Sequence, residues 1–116
     1  MMGMVVPIIR PINWKNLRAD EAEWLVRTRA QNKDNIIDTY HGSEREEERS
    51  ELVSLDMYDI LETGYVTEQP ERSDKDPDDW VVQVEKRMPG GREAAVITVI
   101  VNDTDDLVVV TIQWND

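Results

Sequence analysis

The spacing of apolar and polar positions changes once along this chain. Up to Gly64 the apolar residues recur at helical intervals, and from Tyr65 onward they recur at intervals of two. The first helix is predicted from Leu17 to Asn32. Leu17, Trp24, Leu25 and Thr28 fall near one face, with Ala22 and Val26 at its margin. Asn16 or Asp20 is placed to cap it. Asp20, Glu21 and Glu23 suit its positive end, and Arg27, Arg29 and Lys33 its negative one. Trp14 and Trp24 read as core or stapling residues. A short apolar link, Asn35 to Tyr40, leads to His41. Ser43 then opens a highly charged helix to Glu51, with Glu46 completing a capping box. Ser54 opens a third helix carrying Leu55, Met57, Tyr58 and Leu61, and Gly64 stands where such a helix stops.

The second half reads as strands. Tyr65–Thr67 is a short strand, and residues 68–79 form a polar loop containing Pro70 and Pro77. Trp80–Met88, Ala94–Val101 and Leu107–Trp114 are strands, joined by turns at Pro89–Arg92 and Asn102–Asp106. The last two are apolar on both faces, as inner strands are. The predicted class is therefore α+β: about three N-terminal helices packed on a C-terminal antiparallel β-meander of three to four strands. Residues 1–15, broken by Pro7 and Pro11, read as an extended arm ahead of a single domain over 16–116.

Composition narrows the class of function. A chain of 116 residues can bury a core without disulfides, and it has no cysteine for a thiolate metal site or a thiol nucleophile. No apolar run is long enough for a signal segment or a membrane span, so the expected compartment is the cytoplasm. The net charge is −12, and residues 41–80 hold most of it, with four Lys/Arg against fourteen Asp/Glu. Such a balance disfavours nucleic-acid binding at long range. It serves solubility, or it prepares a surface for a basic partner through residues 44–51 and 68–79.

Two constellations bear on chemistry. Asp74, Asp76 and Asp78, with Glu85, fall at calcium-loop spacing, but Asp79 stands where that loop needs glycine and Pro77 stiffens it, so no metal or cofactor is expected. His41, Arg45 and Arg49 are spaced to share one helix face. An imidazole flanked by two guanidiniums can move a proton near neutral pH and steady the charge on a phosphorane. The same arginines lie among Glu44, Glu46, Glu47, Glu48 and Glu51, where ordinary intrahelical ion pairs also account for them.

This stretch resembles the domain-of-unknown-function 4258 family. Its members show a His-x-x-x-Arg-x-x-x-Arg helix, a Ser- or Thr-started helix ending in Gly, and then strands. The matching residues are His41, Arg45 and Arg49, then Ser54 to Leu61, then Gly64, followed by Trp80–Val84, the Gly-Gly-Arg turn, Ala95–Val99 and Val108–Ile112. The resemblance implies a fold similar to RelE-like, metal-independent ribonuclease toxins, and a partner antitoxin. It makes His41 the acid–base candidate, Arg45 and Arg49 the phosphate-stabilising candidates, and Thr111 a further candidate on the last strand. Two other expectations stand beside it: a non-catalytic interaction domain on the same fold, and an accessory protein of a phage or mobile element. The sequence leaves the oligomeric state open.

Overall fold

The computed structural model describes residues 12–39 and 54–115. Helix α1 spans Ala19–Ala30. It starts two residues later than predicted because its first turn is closed by its own acids. Arg18 N–H donates to Glu21 Oε1 at 2.9 Å, and Glu21 N–H to Asp20 Oδ1 at 2.9 Å. The buried stripe also differs from the expected one. Ala22, Val26 and Ala30, four residues apart, are fully buried, while Trp24 and Leu25 are half-buried and Thr28 is exposed. Small residues on that stripe let the helix axis approach its neighbours closely.

Helix α2 spans Ser54–Thr63, as the Ser-to-Gly interval predicts. It buries Met57, Ile60 and Leu61, whereas Leu55 is 72% exposed. Gly64 ends it by close approach: Gly64 N–H donates to Ile60 O at 2.7 Å. A Cβ there would lie 2.5 Å from Ile60 O, 2.8 Å from Glu85 O and 2.8 Å from Val84 Cγ1. The charged helix predicted over Ser43–Glu51 lies outside the described residues, so two α-helices are described where about three were predicted.

Among the described residues the sheet has five strands rather than three or four, and it is mixed. Its strands are β1 (Ile36–Asp38), β2 (Glu71–Arg72), β3 (Trp80–Arg87), β4 (Glu93–Ile100) and β5 (Leu107–Trp114), in the order β1-β5-β4-β3-β2. β2 to β5 form an antiparallel meander, and β1 adds in parallel to β5 with Ile36 opposite Leu107. The Asn35–Tyr40 link thus contains an edge strand. Tyr65–Thr67 contributes only a single bridge, Tyr65 to Glu85. The β3–β4 turn needs its glycines: Gly90 and Gly91 have φ of 94° and 88°, where a side chain is strained.

Both helices pack on one face. Trp80, Val82 and Val84 of β3, Val96 and Ile100 of β4, and Leu107, Val109 and Ile112 of β5 join the helix residues in one core. Each fully buried aliphatic side chain contributes roughly 1.5–3 kcal/mol. The register shifts between Ile97 and Thr98, leaving Val110 as the extra residue on β5. The end of the predicted arm is not extended. Trp14–Asn16 forms a 3-10 turn, and Trp80 Nε1 donates to Trp14 O at 2.9 Å, tying it to β3. Among the described residues no helix is long and apolar enough to cross a membrane.

Candidate functional site

His41, Arg45 and Arg49 lie outside the described residues. Thr111 is placed. It sits on β5 beside the bulge, paired with Ile97, on the face of the sheet away from α1 and α2. Gln83 continues its row. The same face carries Val81, Val99, Val108 and, 43% exposed, Ile37. Thr111 is half-buried there.

The remaining cations that a phosphate-binding cleft would recruit do not converge. Lys86 and Arg87 are adjacent on β3 and point to opposite faces. Lys86 Nζ sits on the helix side, 2.6 Å from Asp59 Oδ2 and 2.8 Å from Thr63 Oγ1. Arg87 Nε lies 3.5 Å from Glu93 Oε2 on the other side. The Arg92 guanidinium stacks 4.0 Å above the Trp114 ring. Arg27 and Arg72 are likewise held internally, over Tyr65 at 5.2 Å and over Trp80 at 4.3 Å. Arg27 also donates to Gly64 O, and Arg72 to Pro77 O and Lys15 O.

The carboxylates do converge. The β2–β3 loop and the β4–β5 turn emerge from the same end of the sheet, because Trp80 pairs with Ile100 and Ile100 with Leu107. Asn102 N–H donates to Asp79 Oδ1 at 2.9 Å, joining the two loops directly. Asp79 is thereby brought to the turn that carries Asp103, Asp105 and Asp106, and Asp79, Asp105 and Asp106 act together on Arg29. The loop over 73–79 is shaped by its own backbone: Ser73 N–H donates to Asp79 O, and Asp79 N–H to Asp76 O. The calcium spacing has no structural counterpart. Glu85 lies along β3 with its carboxylate accepting from Thr67 Oγ1 at 2.8 Å and Asn115 Nδ2 at 3.3 Å. Among the described residues no three acidic or imidazole groups come together as a metal-ligand set.

Arg29 anchors this end. Its Nη1 donates to Val101 O at 2.8 Å and to Asp106 O at 3.0 Å, fixing the β4–β5 turn against α1. Burial lowers the guanidinium pKa, and the carboxylates of Asp105, Asp106 and Asp79 act in the opposite direction. Beside it is a cavity of about 240 Å³ lined by Trp24, Leu25, Thr28, Arg29, Asn35 and Asp105. Sequence reasoning missed this cavity. It assigned Arg29 to the helix dipole and Trp24 to the core. The available signal was Thr28, a polar residue on the helix face taken to be inside.

Comparison of the chain with protein-family models, with curated proteins and with solved structures finds no match. The geometry therefore carries the functional reading.

Proposed function

We propose that the chain is a non-catalytic, cytoplasmic protein-interaction domain that docks a basic partner at the acidic end of its sheet. The carrying observation is the junction of the β2–β3 loop with the β4–β5 turn through Asp79 and Asn102. It joins two loops that carry seven aspartates between them, of which Asp79, Asp105 and Asp106 act together on Arg29, while Arg27, Arg72 and Arg92 lie over aromatic rings of the same chain. A surface of this kind raises the encounter rate with a cationic protein and selects against anionic ones. The test is co-purification of a basic protein at about 50 mM salt that is released at about 500 mM salt. Replacing Asp76, Asp78 and Asp103 together with Asn is expected to abolish retention. A complex indifferent to both salt and these substitutions refutes the reading.

A second reading is a metal-independent ribonuclease of a toxin–antitoxin pair, as the resemblance implies. It is favoured by the placement of Thr111 on the sheet face that α1 and α2 leave open, and by helices lying on a small antiparallel meander. His41 would act as acid and base, with Arg45 and Arg49 stabilising the phosphorane. Cleavage of RNA in EDTA, lost in His41→Ala, supports it. The absence of cleavage by the unaltered chain rejects it and leaves the interaction reading standing.

A further inference from the structure

We propose that the cavity between α1 and the β4–β5 turn is a socket for an arginine side chain of the basic partner, an inference that rests on the interaction reading above. The socket is a half-open pocket of about 240 Å³, room enough for one long side chain. Its lining matches a guanidinium part by part. Trp24 offers an aromatic wall, and among the described residues no cation lies over its ring. A flat, weakly hydrated cation stacks well on indole. Leu25 and Thr28, which line the same pocket, stand beside the path of the aliphatic stem.

Two acceptors stand ready for the forked donors. Asn35 Nδ2 is spent on Arg29 O at 3.0 Å, which turns its Oδ1 into the available atom. The Asp105 carboxylate accepts no hydrogen bond from the described residues, unlike those of Asp79 and Asp106, which cap Asn102 N–H and Thr104 Oγ1.

Charge decides between a cation and an anion as occupant. Among the described residues Arg29 is the one cation in the lining. Its Nη1 is held by two carbonyls, and the carboxylates of Asp79, Asp105 and Asp106 surround it. Arg29 and Asp105 offset each other in the lining, and the nearby Asp79 and Asp106 leave the neighbourhood negative, which favours a cationic side chain over a phosphate or carboxylate. The socket also opens beside the acidic loops, where a basic segment is already held close and needs only one side chain to anchor it.

The test uses two probes of equal charge, acetyl-Lys-Lys-Arg-Lys-Lys-amide and acetyl-Lys-Lys-Lys-Lys-Lys-amide, titrated into the full ¹⁵N-labelled chain at about 50 mM salt. The arginine probe is expected to bind about two- to fivefold more tightly. Its amide shifts should centre on Trp24 Nε1, Thr28 and Asn35. Asp105→Asn and, separately, Thr28→Arg should remove the difference between probes. Thr28 is an exposed helix position at which arginine is the better helix former, so that variant keeps the fold. Equal binding of both probes, with shifts confined to residues 74–79, overturns the socket and leaves the acidic docking surface intact. The same shifts produced by inorganic phosphate also overturn it. Failure of both probes to bind overturns the interaction reading and the socket with it.

Discussion

Placing a methyl group on Gly64 tests how α2, α1 and β3 are joined. The position has no unusual backbone: among the described glycines only Gly90 and Gly91 have positive φ. What forbids a side chain is space. The added Cβ would stand 2.5 Å from Ile60 O and 2.8 Å from Glu85 O, so two main-chain carbonyls would have to move. Moving either disturbs more than a local contact. Gly64 O accepts from Arg27 Nη2 at 2.6 Å, and Tyr65 exchanges two 2.8 Å backbone hydrogen bonds with Glu85. Overpacking of this kind costs about 1–3 kcal/mol. The stiffer unfolded chain of Gly64→Ala returns about 0.4–1 kcal/mol. The net loss is about 1–2 kcal/mol, or a melting temperature lower by about 5–10 °C for a domain of this size. Thermal and urea unfolding followed by far-UV circular dichroism would measure it. Asparagine separates the mechanisms. At Gly91, where φ is positive and a Cβ meets open space, Gly91→Asn should be milder than Gly91→Ala, because asparagine visits the left-handed region more readily. At Gly64, Asn should be at least as harmful as Ala. An unchanged or raised stability of Gly64→Ala, or a rescue by Asn at 64, would refute the steric account.

Three other outcomes follow from the packing. Arg29→Met removes the charged donor to Val101 O and Asp106 O. It should cost about 2–3 kcal/mol in urea unfolding and speed amide exchange across 101–106. Ile60→Ala empties a fully buried position and should cost about 2–5 kcal/mol, while Leu55→Ala, at 72% exposure, should stay within about 0.5 kcal/mol. Lys86→Met breaks the pair with Asp59, whose side chains are 27% and 46% exposed. The change should be under about 1 kcal/mol in chemical denaturation, since solvent screens the pair.

The meander was legible because its signals are local. Alternation along Trp80–Arg87 and the paired glycines at 90 and 91 fix strand, turn and register within a short stretch of chain. β1 left no such signal. It is three residues long, and its partner β5 lies some seventy residues away, as the 2.6 Å bond from Thr39 Oγ1 to Val109 O shows. A parallel pair at that separation has no turn to announce it. The helix faces were misjudged for another reason. Large apolar residues, Trp24 and Leu55 among them, outweigh alanine in a periodicity argument, yet close packing favoured Ala22 and Ala30. The acidic loop was visible as composition. Its meeting with the 102–106 turn was not, because the contact from Asn102 to Asp79 depends on strand pairing rather than on either segment. Of the catalytic candidates, His41, Arg45 and Arg49 were named from their spacing and the family resemblance and Thr111 from the resemblance, and only Thr111 falls among the described residues.

The position of β5 between β1 and β4 bears on the order of assembly. Ile36–Asp38 is made early and has no strand to pair with until residues 107–109 exist. β4 likewise lacks its second neighbour until then. During synthesis the chain must therefore carry an unfinished sheet, with the hydrogen-bonding edge of β4 open, until its final strand arrives. A truncation before Leu107 should leave that aggregation-prone edge permanently exposed instead of yielding a smaller folded domain.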